Sequence, residues 1–209
     1  MLDTHDRGEN HRTHPFSLPA GGTKIVEAFK VLLSEKEFAA ITIADIVNIS
    51  GVNSALIYKY FGDKRGILHK VLADGLDQYL SDLERDLKGI KGSLNKLRKL
   101  VWTQISLYEN NRVIARILLL EVRNHHSYFV SESYQKIRRY SSIIREIIEE
   151  GIKDGDIRDD IPVWSIRQIF IGAVEHLCLP GVIQRQAFSA DDLTGDLCSI
   201  IFTGIEKRK

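Results

Sequence analysis

From Lys24 to the end of the chain, apolar side chains recur at intervals of three and four residues. No segment shows convincing two-residue alternation of the kind that marks a strand. That periodicity confines the chain to helices, and 4 prolines in 209 residues leave room for long ones. Ile25, Val26, Phe29, Leu32 and Leu33 share the face of a first helix that ends in the segment Ser34 to Phe38. Thr42, with Asp45 three residues on, has the spacing of a capping box and predicts a short helix through Ile46 and Val47. Ser50-Gly51-Val52-Asn53-Ser54 breaks it, and a second short helix carries Ala55, Leu56, Ile57 and Tyr58. Gly62-Asp63 stops that one. A long amphipathic helix then runs through Ile67, Leu68, Val71, Leu72, Leu76, Tyr79, Leu80, Leu83 and Leu87, to be ended by Gly89 and Gly92. Further helices are predicted over 93–109, 111–122, 128–153, 163–178 and 190–206. Asn110-Asn111, His125 to Ser127, the Gly/Asp-rich stretch 151–162, Pro180-Gly181 and Ser189 separate them. The expected architecture is all-α, with about nine helices: a three-helix domain over 23–70 and a larger helical domain over 71–209.

Bulk properties narrow the function. The net charge is +1, so any affinity for nucleic acid must come from a local patch. Cys178 and Cys198 have no metal-type spacing and read as small buried apolar residues of a reduced cytoplasm. No uninterrupted apolar run approaches 18 residues, so no membrane span is expected. Residues 1–22 lack an apolar signal core and read as a flexible polar tail. Its His5, Arg7, His11, Arg12 and His14 suit a minor groove, although Asp3, Asp6 and Glu9 offset them.

The informative stretch is 41–72. Two short helices joined at Gly51, with Ile46, Val47, Val52 and Ile57 placed to lock them together, form a helix-turn-helix pattern. DNA-binding versions insert the start of the second helix into the major groove. Here that start is Asn53, Ser54, Ala55 and Leu56, small and polar enough for close approach to base edges. Tyr58, Lys59, Tyr60 and Lys64 follow, with side chains that typically donate to phosphate. Between Asn53 and Lys70 stand four cations, Lys59, Lys64, Arg65 and Lys70, against one acid, Asp63.

Residues 24–72 resemble the DNA-binding domain of TetR-family transcriptional regulators. The likeness rests on the first helix 24–33, then on Thr42, Gly51-Val52, Tyr58, Phe61 and Lys64 at the family's spacing. It covers about a quarter of the chain. Glu37-Phe38, Val47 and Asn53 depart from the family's usual Gly-Phe, Ala and Ser. The resemblance implies a homodimeric repressor of double-stranded operator DNA with no enzymatic role. By it, Thr42 contacts phosphate; Asn53, Ser54 and Ala55 face bases; Tyr58, Tyr60 and Lys64 hold the backbone; and Lys59 serves either role. Phe61 is expected in the core.

The C-terminal two-thirds resemble the family less closely. Residues 149–170 are similar to its link before the last two helices, which commonly form a four-helix interface with a second copy. The resemblance thus implies a dimer interface on Trp164, Ile169, Phe170, Leu177, Leu193, Leu197 and Ile201, and a lone chain would struggle to bury so much apolar surface. Residues 115–129 resemble the branch of the family that responds to fatty acyl-CoA. Trp102, Leu107, Leu118 and Phe129, with polar Glu121, Arg123 and Asn124, are the expected lining for an apolar small-molecule effector with a polar end. A stripe of this kind also suits plain core. His125-His126 do not share a helix face, and Asp154, Asp156, Asp159 and Asp160 lack the register and closing Glu of a calcium loop. No nucleophile elbow, phosphate-binding glycine loop, cofactor motif or metal site is recognised. Two rival functions stay open: a DNA-binding regulator or activator without a small ligand, and a helical enzyme or scaffold with an incidental helix-turn-helix.

Overall fold

A computed structural model describes residues 18–207; the expectations for residues 1–17 of the tail lie outside the described residues, and the end of the expected tail differs, because Ala20 to Gly22 already form the first turn of α1. Nine α-helices follow in order: α1 (Ala20–Glu35), α2 (Ile43–Ser50), α3 (Ser54–Phe61), α4 (Lys64–Leu87), α5 (Ser93–Asn110), α6 (Arg112–Arg116), α7 (Glu132–Asp154), α8 (Val163–Gln184) and α9 (Ala190–Ile205). Short 3₁₀ turns cover Phe38–Ala40 and His126–Val130, and a π turn covers Ile117–Glu121. Among the described residues the only β pairing is an isolated bridge between Ile157 and Glu206.

The helix starts follow local chemistry. Thr42 and Asp45 form a reciprocal capping box on α2, as their spacing predicts. Asn53, Asp63, Asn111, Ser131 and Ser189 each place a side-chain oxygen on a free N–H in the first turn of α3, α4, α6, α7 and α9. Gly51 ends α2 at φ 65°, a left-handed conformation that costs glycine nothing and sets the angle of the helix-turn-helix.

Packing makes α4 the shared element. Its N-terminal half places Ile67, Leu68 and Val71 in the core with Ile25, Phe29, Ile46 and Ile57 of α1 to α3. Its C-terminal half packs chiefly on α7. α5 lies against α9 and α7, burying Leu97, Leu100, Val101 and Ile105. One continuous apolar core therefore runs through both regions. Any tilt of α4 is felt at both ends.

Two expected breaks differ. The helix predicted over 111–122 stops at Arg116 and continues as the π turn, where Val122 donates to the Ile117 carbonyl at 3.2 Å. The helix predicted to end at 178 instead runs through Pro180 to Gln184. Two contacts hold this extra turn. A side chain at Gly181 would collide with the ring of Phe188, so glycine lets that ring pack on the helix. Arg112 meanwhile donates to the Gly181 carbonyl at 2.8 Å.

Candidate DNA-binding surface and effector clefts

The outer face of α3 is built from the turn upward. Ile57 is fully buried and Leu56 half-buried, and they fix the helix against α1 and α4. The opposite face exposes Asn53, Ala55, Tyr58 and Lys59, with Ser54 half-buried. Tyr58 is 56% exposed, a large aromatic left in solvent beside a lysine on a short helix. Tyr60 is half-buried edge-on to Phe61, and the Lys59 ammonium lies 5.8 Å from its ring centroid. Phe61 packs against the core, as expected.

Three residues expected at the DNA are occupied with local structure. The Thr42 hydroxyl donates to Asp45 Oδ2 at 2.8 Å and accepts the Asp45 N–H at 3.1 Å. Asn53 Oδ1 accepts from the Ala55 N–H at 2.9 Å, and the residue is exposed. Lys64 departs furthest from expectation. Its ammonium donates to the carbonyls of Phe38 at 2.8 Å and Ile41 at 2.6 Å, with Ala39 at 3.4 Å, and lies 4.4 Å from the Phe38 ring. Burial lowers its pKa from the usual lysine value. The carbonyls of Phe38 and Ala39 in the 3₁₀ turn and of Ile41 just after it all face this one ammonium group. Lys70 pairs with Asp74 at 2.6 Å, and Arg65 sits over the Phe38 ring at 5.3 Å. Of the four cations seen in the sequence, Lys59 is the one displayed on the outer face of α3.

The predicted effector residues do not line one cavity. Leu118 is core. Trp102 donates from Nε1 to Asp191 at 2.7 Å, on the far side of α5. Arg123 makes a two-pronged pair with Glu175, and Asn124 caps the Leu120 carbonyl. Phe129 lies half-exposed, edge-on to Tyr128 and Tyr134. The stripe was legible, but the π turn rotates 117–121 away from helical register, so residues on its two sides face different ways.

Two clefts instead flank α6. One, of about 520 Å³, is walled by Leu33, Val71, Leu72, Leu76, Leu107, Val113 and Ile114, with Lys30, Asp74 and Asn111 at its rim. The other, of about 530 Å³, is polar and is lined by Lys36, Glu37, Arg112, Arg116, Glu121 and Arg185 among others. Leu33, Ser34 and Val113 belong to both, so the two are neighbours. Leu107 and Glu121 are the predicted residues that reach them. Arg112, Arg116 and Arg185 were missed; the spacing of Arg112 and Arg116, four apart on one helix face, was the available signal.

Deeper in the larger domain, Tyr140 donates to Gln104 Oε1 at 2.7 Å and Gln104 Nε2 donates to Tyr108 at 3.1 Å. The nearby Tyr79 hydroxyl is buried without a partner. Burial raises the pKa of all three phenols. It also pushes the Cys178 thiol up to about 12, leaving it unreactive at neutral pH. Among the described residues no group of His, Cys, Asp and Glu is arranged to hold a metal ion.

On the outer side of α8, Trp164, Ile169 and Leu177 are 64%, 63% and 41% exposed, and Ile200 of α9 reaches 75%. Phe170 and Leu197, expected at the same face, are intra-chain core at 0% and 2% exposure. Leu193 and Ile201 are half-buried. The correction follows from helical geometry: Phe170 is one residue from Ile169, so the two point about 100° apart. α8 is also long and apolar enough to cross a membrane by those criteria alone, with a mean hydropathy of 1.3 in its best window. It nevertheless carries Arg167, Glu175 and His176, and Glu175 is paired with Arg123.

Comparison with known proteins adds a separate line of support. Residues 25–71 match the family described as bacterial regulatory proteins, tetR family, and residues 72–204 match the YsiA-like protein C-terminal region. The fatty acid metabolism regulator protein of Bacillus subtilis (strain 168) is 23% identical over 88% of this chain and 95% of its own length. The crystal structure of FadR from Bacillus subtilis in complex with stearoyl-CoA superposes with a TM-score of 0.77 at 23% identity, covering 88% of this chain and 98% of that one. The ketosteroid transcriptional regulator KstR2 of Mycobacterium tuberculosis gives a TM-score of 0.67 at 18% identity, covering 92% and 98%. At these identities the structural likeness speaks to the fold.

Proposed function

The chain belongs to the TetR family of bacterial transcriptional regulators, and on that premise we propose that it is a cytoplasmic homodimeric repressor released from its operator by an amphipathic small molecule. The observation that carries this reading is the position of the two clefts. Both lie where α1 and the turn after it meet α6, so a bound molecule would touch the DNA-binding domain and the larger domain at once.

The effector class follows from the linings. An apolar chain suits the cleft of Leu33, Val71, Leu76 and Leu107. A negatively charged end suits the neighbouring cleft, where Lys36, Arg112, Arg116 and Arg185 stand against Glu35, Glu37 and Glu121. The Bacillus subtilis FadR structure holds stearoyl-CoA, a molecule of that description. In this reading Tyr58 and Lys59 meet phosphate, while Asn53, Ser54 and Ala55 read base edges. The exposed faces of α8 and α9 bury against the same faces of a second copy. The effector weakens DNA binding only by its differential affinity for the two domain arrangements.

Fluorescence anisotropy tests this on a duplex from upstream of the protein's own coding region, with a scrambled duplex as control and stearoyl-CoA as the added ligand. Selective binding that stearoyl-CoA reverses is the expected result. Selective binding that stearoyl-CoA leaves intact would discard the effector class and keep the regulator. Equal weak binding to both duplexes would count against an autoregulatory operator at that site.

A further inference from the structure

α6 is only five residues long, yet it is gripped at both ends by arginines one turn apart. Arg112 donates to the Gly181 carbonyl at 2.8 Å, and its guanidinium lies 4.4 Å from the Phe188 ring centroid. That ties the start of α6 to the last turn of α8 and the loop after it. Arg116 reaches the other way, with Nε 2.8 Å from Glu37 Oε2, an ion pair by distance in which the Nε–H makes no hydrogen bond. Arg185, just past α8, comes within 3.4 Å of the other Glu37 oxygen. Glu37 immediately precedes the 3₁₀ turn whose carbonyls take the Lys64 ammonium. Among the described residues, the two ion pairs of Glu37 are the only ones joining residues 20–61 to anything beyond α4. The π turn begins directly after Arg116.

We propose that α6 is a two-armed strut: Arg112 anchors it to the end of α8, and Arg116, through Glu37, sets the position of the DNA-binding domain. Glu37, Arg112 and Arg116 are then positioning residues for operator recognition, an inference that rests on reading the chain as an operator-binding regulator. The physical case has three parts. α4 alone would leave the DNA-binding domain free to swing about one helix, and a second attachment removes that freedom. The attachment is polar and partly solvent-exposed, with Arg116 and Glu37 side chains 36% and 44% exposed, so it is weak enough to be displaced. It also lines the polar cleft, so an anion entering there meets the same guanidinium groups that hold Glu37. The π turn supplies an adjustable joint, because its extra residue per turn can be absorbed or released by a small rewinding.

Hydrogen exchange of the DNA-free protein tests the strut directly, with the α7 core amides 143–148 as internal reference. Arg116→Gln and Glu37→Gln should each speed exchange over 38–50 by about 2- to 5-fold, the range for an exposed pair. The double variant should be no worse than Glu37→Gln alone, because Glu37 carries the contact that Arg116→Gln removes. The decisive variant is Arg112→Gln, with Arg112→Lys as a milder companion that keeps the charge and loses the planar stack on Phe188. Neither touches 38–50, yet both should speed exchange there. Anisotropy on the upstream duplex should show weaker operator binding for the same variants by a similar factor. If the Arg112 variants change exchange only over 181–189, or if Glu37→Gln and Arg116→Gln add, the strut is overturned. Exchange needs no DNA. A wild-type chain that bound no operator would therefore sink the regulator reading while leaving the strut decided by exchange.

Discussion

Lys64 satisfies the carbonyls of Phe38 and Ile41 with one ammonium group, and this changes what its loss should do. A lysine at the start of a helix in a DNA-binding domain reads as a phosphate contact. Here the amine points back into the turn after α1. Lys64→Ala would strand the Ile41 carbonyl and leave that of Phe38 with the Ile41 N–H alone, in a half-buried place. Hydrogen bonds to a charged group contribute about 1.5–3 kcal/mol, and partial exposure puts this one at the lower end, about 1–2 kcal/mol. The expected outcome is a lower urea midpoint with an unchanged slope of log affinity against log salt. Lys59→Ala should do the reverse: an unchanged midpoint and a slope reduced by about 0.9. If Lys64→Ala left the midpoint alone and took the slope down, its amine would belong to the phosphate after all. Residue type and spacing told us where cations stand. They did not tell us which are spent internally, because the acceptors on Phe38 and Ile41 are brought close only by the fold.

At the scale of elements, the helix ends were the most legible feature, since a cap is local chemistry. Thr42 with Asp45 acts as its spacing implies, and Asn53 and Asp63 are residue types that favour the cap positions they occupy. The capping box has a pH consequence. The Thr42 N–H, then its hydroxyl and the Lys36 ammonium, hold the Asp45 carboxyl down at about 2. A carboxylate depressed in the folded state stabilises above its unfolded pKa of about 4, and that contribution fades as pH falls toward 2. Amides of α2 should therefore exchange faster, relative to those of α7, as pH drops from 4 to 2. Asp45→Asn should remove that dependence. A pH-independent ratio in the unaltered protein would show that the box does not hold α2. The π turn and the passage of α8 through Pro180 were not legible. Proline ordinarily ends a helix, and it is held here by Phe188 filling the space over Gly181 and by Arg112 on the Gly181 carbonyl, contacts seven or more residues away in sequence. The scatter of Arg123, Asn124 and Phe129 away from Leu118 has a similar cause: a one-residue change of phase at 117–121 redirects the side chains after it.

For the whole molecule, apolar content announced a surface that one chain cannot cover but did not say which residues form it. Ile169 and Phe170 are neighbours of similar character, yet one is 63% exposed and the other fully buried. The packing of α8 on α7, α5 and α9 separates them. This separation yields a sharp contrast between two substitutions. Ile169→Asp places a charge where a second copy is expected, and an unpaired charge buried in an interface costs about 3–5 kcal/mol, so the dimer dissociation constant should rise about 100-fold or more. Operator affinity should fall with it, because two half-sites are then read by chains that no longer arrive together. Phe170→Ala should act instead on the fold of each chain, lowering stability by about 3–5 kcal/mol through the cavity it leaves. Sedimentation velocity across a range of concentrations separates the cases: Ile169→Asp should sediment as a folded monomer with native helicity. If it remained a dimer with unaltered operator binding, the exposed face of α8 would not be the interface, and the apolar surplus of Trp164, Ile169 and Leu177 would need another partner.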